Sequence, residues 1–139
     1  MRVVIDTNVF VGACLGSPPS KKVIAKCLTG QLRALMGTAL FLEYESILGR
    51  ENLFEHTGLE QGEREDLLDI FLSTCIWTPI YFGWRPNLPD EGDNHLVELA
   101  VAGNAQYIVT RNVRDLVHGD LNFPSIGIIS PEAFLQEVE

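Results

Sequence analysis

RVVID, residues 2–6, sets three consecutive β-branched apolar residues in front of an aspartate. An uninterrupted apolar run of this kind, rather than an alternating one, suits a parallel strand covered on both faces. The run therefore predicts a central parallel strand with Asp6 at its carboxyl end. A carboxylate in that position is costly to bury unless it is paired, hydrogen-bonded or bound to a cation. The plainer alternative is an aspartate that caps the following loop, with Thr7 and Asn8 as further turn formers.

Downstream, a loop marked by Gly16, Pro18, Pro19 and Ser20 leads into SKKVIAKCLTG, whose apolar positions 23, 24, 27 and 28 make a helix face with Ser20 as N-cap and Gly30 as stop. A short strand near RALMG follows. TALFLEYESILGR then places Leu40, Phe41, Tyr44, Ile47 and Leu48 at helical spacing, with Glu43 beside the stripe. Residues 60–74 predict a helix whose acidic start, Glu60, Glu63, Glu65 and Asp66, complements the helix dipole. CIWTPIYF reads as a strand broken by Pro79, and residues 83–89 as a loop. Asp90 caps a helix through DNHLVELAVAGNA that stops near Gly103 and Asn104. QYIVT is a fourth strand, NVRDLVHG a short helical turn, and IGIIS a fifth strand before a terminal helix from Pro131. Strands alternating with helices predict a single domain over residues 1–139: a three-layer α/β/α sandwich around a parallel sheet of four to five strands. Ligands of such sheets sit beyond the carboxyl ends of the strands, where Asp6 and the loop after IVT both lie.

Bulk composition narrows the function. The 139 residues are 46% hydrophobic and 21% charged, as expected of a folded globular domain. No apolar stretch approaches the roughly 20 residues a membrane helix needs, so a cytoplasmic protein is expected. Cys14, Cys27 and Cys75 are isolated and odd in number, which fits buried thiols better than disulfides or zinc. His56, His95 and His118 have no metal-ligand spacing. The net charge of −9 argues against unassisted nucleic-acid binding, unless divalent cations on clustered carboxylates reverse the local field or a basic partner covers the acidic surface.

Taken singly, Glu43, Asp93, Asp115 and Thr110 each have an ordinary structural explanation as helix-border, first-turn or loop-capping groups. Together, VVIDTN, Glu43, PDEGDNHLVELA and IVTRNVRDL resemble the PIN-domain family, from Arg2 to about Pro131, and within it the VapC-related toxin components of toxin–antitoxin pairs. The resemblance implies a metal-dependent ribonuclease in which a strand-end Asp, a helical Glu and two later Asp residues hold one or two Mg²⁺ or Mn²⁺ ions. By position these are Asp6, Glu43 and Asp93. The fourth position departs: two residues after Thr110 the family usually has Asp, and here stands Asn112, a neutral oxygen donor. Asp115 is the candidate to take that part, with Asp90 near enough in sequence to compensate. Hard oxygen ligands suit Mg²⁺ or Mn²⁺ rather than zinc. Asn8 and Thr110 are expected to orient ligands or water, and Arg111 and Arg114 to contact the RNA backbone. Lys21, Lys22 and Lys26 read better as a solvated helix face, and Tyr81 and Trp84 as packing residues, than as RNA contacts. The resemblance also implies an antitoxin partner and a homodimer, to which Phe54, Phe71 and Trp77 are apolar candidates.

Two rivals belong to other classes. One is a catalytically weak or inactive module that binds nucleic acid or regulates; Asn112 and the acidic charge favour it. The other is a phosphoaspartate enzyme, which would want a second Asp two residues after the first, where Asn8 stands. No glycine-rich phosphate loop follows the first strand.

Overall fold

Val3, Val4 and Ile5 are fully buried in β1 (Arg2–Ile5), the middle strand of a five-stranded, wholly parallel sheet. The computed structural model describes residues 1–55, 59–80, 94–117 and 125–139, with the Asn94 side chain excepted. The sheet order is β3-β2-β1-β4-β5, where β2 is Arg33–Met36, β3 Ile76–Trp77, β4 Tyr107–Val109 and β5 Gly127–Ile129. Val3 pairs with Ala34 on one side and with Tyr107 on the other, so β1 has hydrogen-bonded neighbours along both edges. That double cover is why the run carries no polar alternation. Strand order reverses between β1 and β4, the place where such sheets open a crevice at their carboxyl edge.

Helices flank this sheet in the expected three-layer sandwich: α1 (Thr7–Cys14), α2 (Pro18–Leu28), α3 (Thr38–Leu48), α4 (Gln61–Thr74), α5 (Asn94–Ala102), α6 (Val113–Val117) and α7 (Pro131–Val138). α1 occupies most of the segment expected to be loop. TNVFVGAC is rich in β-branched residues and has weak helix propensity, but Val9, Phe10, Ala13 and Cys14 are buried. Packing overrides propensity there. Phe10 sits in an aromatic cluster with Tyr44 and Phe71, and the Tyr44 hydroxyl donates to the Ile5 carbonyl at 2.7 Å, fixing α3 to the end of β1.

α2 starts earlier than expected. Its N-cap is Ser17, with Pro18 and Pro19 in the first turn, where a missing N–H costs nothing. Ser20 is instead an interior, fully buried helix residue. α4 has the acidic start in a reciprocal capping box between Glu60 and Glu63. α5 ends with Asn104 in the left-handed conformation (φ 56°). Gly103 meets a different demand, because a Cβ there would run into the Leu35 side chain.

The strand expected over 75–82 is described only as Ile76–Trp77. Residues 81–93, among them Tyr81, Trp84, Asp90 and Asp93, lie outside the described residues, as do His56 and His118. Phe54 and Phe71 are core residues of the single chain and unavailable to a partner, whereas Trp77 is 51% exposed. Cys14 and Cys27 are buried and Cys75 partly so. Among the described residues no helix is long and apolar enough to cross a membrane.

Candidate acidic site at the carboxyl edge of the sheet

The ends of β1 and β4 are held in register by main-chain bonds, Asp6 N–H to the Val109 carbonyl at 3.0 Å and Thr110 N–H to the Ile129 carbonyl at 3.0 Å. Asp6 and Thr110 therefore leave the sheet side by side at its switch point. Asp6 takes the N-cap position of α1 but makes no capping bond with its side chain. Its carboxylate turns to side chains instead: Thr110 Oγ1 donates to Oδ2 at 2.7 Å, Asn8 Nδ2 to the same oxygen at 3.3 Å, and Thr7 Oγ1 approaches Oδ1 at 3.3 Å.

The Thr7 hydroxyl donates to Glu43 Oε1 at 2.8 Å, so one buried hydroxyl lies between the carboxylate that follows β1 and a carboxylate from α3. The other oxygen, Glu43 Oε2, lies 2.8 Å from His95 Nε2 on α5. The other ring nitrogen is less well served: Nδ1 is buried without a hydrogen-bond partner among the described residues. Thr110 Oγ1 also accepts from the Asn112 main-chain N–H at 3.0 Å and from Asn8 Nδ2 at 3.4 Å, making this fully buried hydroxyl the hub of the site.

These surroundings push the two carboxyl groups in opposite directions. Asp6 is held above the usual aspartate range, chiefly by burial and further by the like charge of Glu43, against which the Thr110 bond works. Glu43 is held below the usual range, chiefly by its bond to His95. Among the described residues no Lys, Arg or His forms a salt bridge with Asp6, which is 4% exposed. A desolvated carboxylate served only by neutral donors, with a second carboxylate alongside, is a site short of positive charge.

Of the sequence candidates, Asp6, Asn8, Glu43 and Thr110 come together. Asn112 is tied in through its main chain, its side chain exposed. Asp115 lies exposed on α6 with no bond to the other acids among the described residues, and Arg114 is exposed beside it. Arg111 is exposed but folded back onto the chain: its guanidinium donates to Ser17 Oγ and Ser20 Oγ, both at 2.7 Å, and to Glu132 Oε1 at 3.2 Å. Asp90 and Asp93 lie outside the described residues, among which no cluster of three His, Cys, Asp or Glu side chains could hold a metal ion.

Two residues of the site were not expected, Thr7 and His95. The position of Thr7 directly after the strand-end acid was a usable signal; for His95 there was none, because its partner lies on α3, packed against α5.

Comparison with solved structures finds the same fold in VapBC2 from Rickettsia felis, crystallised with a DNA fragment from its promoter. The TM-score is 0.60 at 16% identity, covering 94% of this chain and 98% of that one. Comparison with curated protein sequences gives no match. A family model described as PIN domain matches residues 2–114, a span that runs from β1 through the carboxyl edge of the sheet and takes in Asp6, Glu43, His95 and Thr110. By that match, which covers well over half of its length, the chain belongs to the PIN-domain family.

Proposed function

We propose that the protein is a Mg²⁺- or Mn²⁺-dependent endoribonuclease that hydrolyses phosphodiester bonds of RNA, and that it is the toxin of a toxin–antitoxin pair. The observation that carries this reading is the state of Asp6: buried, beside Glu43, and supplied with hydroxyl and amide donors but, among the described residues, with no Lys, Arg or His in a salt bridge to it. Those carboxylate oxygens fit a hard divalent cation. Asp6 and Glu43 would hold the ion together with Asp93, and Asn112 or Asp115 would complete the set. When bound, such an ion lowers the pKa of water and stabilises charge on a phosphate.

The chain's own contribution is order. Thr110 and Asn8 fix the rotamer of Asp6 through Oδ2, and Thr7 and His95 fix Glu43 through its two oxygens. Both acids are thereby held in place before any ligand arrives, which lowers the cost of binding one. Arg114, exposed on α6, would meet the RNA backbone.

An acidic protein of net charge −9 needs help near RNA, and a basic antitoxin segment would be drawn to the same surface in its absence. The solved VapBC2 complex is the structural parallel for that partner. A homodimer and a cytoplasmic location complete the proposal. The second reading, a weak or inactive nucleic-acid-binding or regulatory module, is favoured by Asn112, which adds no charge at the fourth position.

The test is cleavage of labelled single-stranded RNA by partner-free protein with Mg²⁺ or Mn²⁺, beside an EDTA control and Asp6→Asn. Cleavage that requires both the metal and Asp6 is the expected result. Folded wild type that neither binds Mn²⁺ nor cuts RNA would leave the second reading standing.

A further inference from the structure

Arg111 follows Thr110 in the chain, and its side chain and main chain do different things. The main-chain N–H donates to Asn8 Oδ1 at 3.1 Å, and the Nδ2 of that same asparagine donates to Asp6 Oδ2. The guanidinium runs the other way, over α1. NH2 spends both hydrogens on Ser17 and Ser20 of the α2 start, and NH1 donates to Glu132 in the first turn of α7. Room for this comes from Gly12, where a Cβ would stand 2.8 Å from Ser20 Oγ and 3.3 Å from Arg111 Nε. Ser17 occupies the N-cap of α2 yet makes no capping bond; its hydroxyl is given to Arg111.

A guanidinium grips phosphate through two parallel N–H groups. With both NH2 hydrogens used, neither the NH1–NH2 nor the Nε–NH2 edge of Arg111 has such a pair to offer. We infer that Arg111 is a positioning residue: its side chain clamps the loop after β4 onto α2 and α7, so that its main chain can hold Asn8, and through Asn8 the Asp6 carboxylate. The role rests on the acidic site of the proposed function, and its consequence is that the start of α2 and the first turn of α7 set the order of that site from outside it.

Ser20 makes the inference separable from RNA contact, because it is fully buried and cannot touch a nucleic acid. The variants are Arg111→Ala, Ser20→Ala and Ser17→Ala, each shown to be folded. The first readout needs no activity: hydrogen exchange at the Arg111 and Asn112 amides, which donate to Asn8 and Thr110. Loss of charge-assisted bonds predicts exchange faster by about tenfold or more in Arg111→Ala, and a smaller change in the same direction in Ser20→Ala and Ser17→Ala. The second readout is Mn²⁺ affinity, and the third is RNA cleavage, where kcat should fall in Arg111→Ala and Ser20→Ala with KM little changed.

Unchanged amide exchange in both Arg111→Ala and Ser20→Ala would overturn the clamp. So would a rise in KM alone that Ser20→Ala does not share, which would make Arg111 an RNA contact. If wild type binds no Mn²⁺ and cuts no RNA, the nuclease reading fails, and the exchange measurement still decides the clamp.

Discussion

Thr110→Val takes one oxygen out of the middle of the acidic site and leaves its volume nearly unchanged. The hydroxyl is fully buried, donates to Asp6 Oδ2 at 2.7 Å, and accepts from the Asn112 amide at 3.0 Å and from Asn8 Nδ2 at 3.4 Å. The short bond to a buried carboxylate falls in the class worth about 1.5–3 kcal/mol, with the stranded acceptor counted in that cost. Asn112 is exposed, so water can satisfy its amide and little is added. The variant should lose about 2–3 kcal/mol at neutral pH without metal. With a urea slope of about 1–3 kcal/mol per molar, the unfolding midpoint should fall by roughly 1 M or more. The cost should also depend on pH. Asp6 titrates above its ordinary range in the fold, so its contribution to stability is fully present below the unfolded-state pKa and is lost as pH rises through the folded-state pKa. Thr110 restrains that loss by favouring the ionised form; in the valine variant the folded-state pKa rises further and the loss is larger. The difference between the two proteins should therefore be small in acid and grow to its full size on the alkaline side of the Asp6 transition. Urea unfolding in EDTA across that range is the assay, with Thr110→Ser as the variant that restores the bond. A cost below about 0.5 kcal/mol, or one equal at both ends of the pH range, would refute the role given to this hydroxyl.

Arg64 is 1% exposed, lies 4.1 Å from the centroid of the Phe54 ring, and donates to the carbonyls of Leu48 and Leu59 and to Glu51. Arg64→Ala should cost about 3–5 kcal/mol in urea unfolding, because it empties a fully buried site beside Phe54 and takes a donor from the buried Leu48 carbonyl. Glu51→Gln should cost under about 1 kcal/mol, since that carboxylate is 65% exposed and screened by water; equal costs for the two variants would show that the ion pair, not the burial, carries the contribution. The Cys27 and Cys75 thiols are each pushed up to about 12 by burial. A thiol-specific reagent at mildly alkaline pH should leave both untouched in the native protein and modify them on denaturation; rapid native modification of Cys27 would contradict its burial.

The parts of the fold legible from sequence were those whose pattern has one physical meaning. RVVID has the apolar continuity of a strand covered on both sides, and its last residue had to lie at the carboxyl edge. α1 was illegible because its residues favour other conformations locally and become helical only by burying Val9 and Phe10. The start of α2 is ambiguous in the sequence because Ser17 and Ser20 are both good caps by type, and the two prolines between them suit a loop as well as a first helical turn. In the site, Asp6 and Thr110 were legible as strand ends. The Thr7 contact, the His95 contact and the turn of Arg111 onto α2 were not, because each joins elements distant in the chain.

The same contacts bear on the departure at Asn112. Asp6 and Glu43 have neighbouring carboxylates and unequal company: Glu43 has an imidazole on one oxygen, while Asp6 has neutral donors and the repulsion of Glu43. In the absence of a cation the shortage falls on Asp6. A carboxylate two residues past Thr110 would add little to it without a cation, since the side chain at 112 is exposed and only its main chain is bonded to the hydroxyl that serves Asp6. Asparagine at 112 would, under the proposed function, offer a neutral oxygen to a ligand and leave the metal-free charge balance as it is. Under the proposed function its effect should therefore fall on cation affinity rather than on folding, and the acidic pair held by Thr110, Asn8, Thr7 and His95 stays assembled whichever residue stands there.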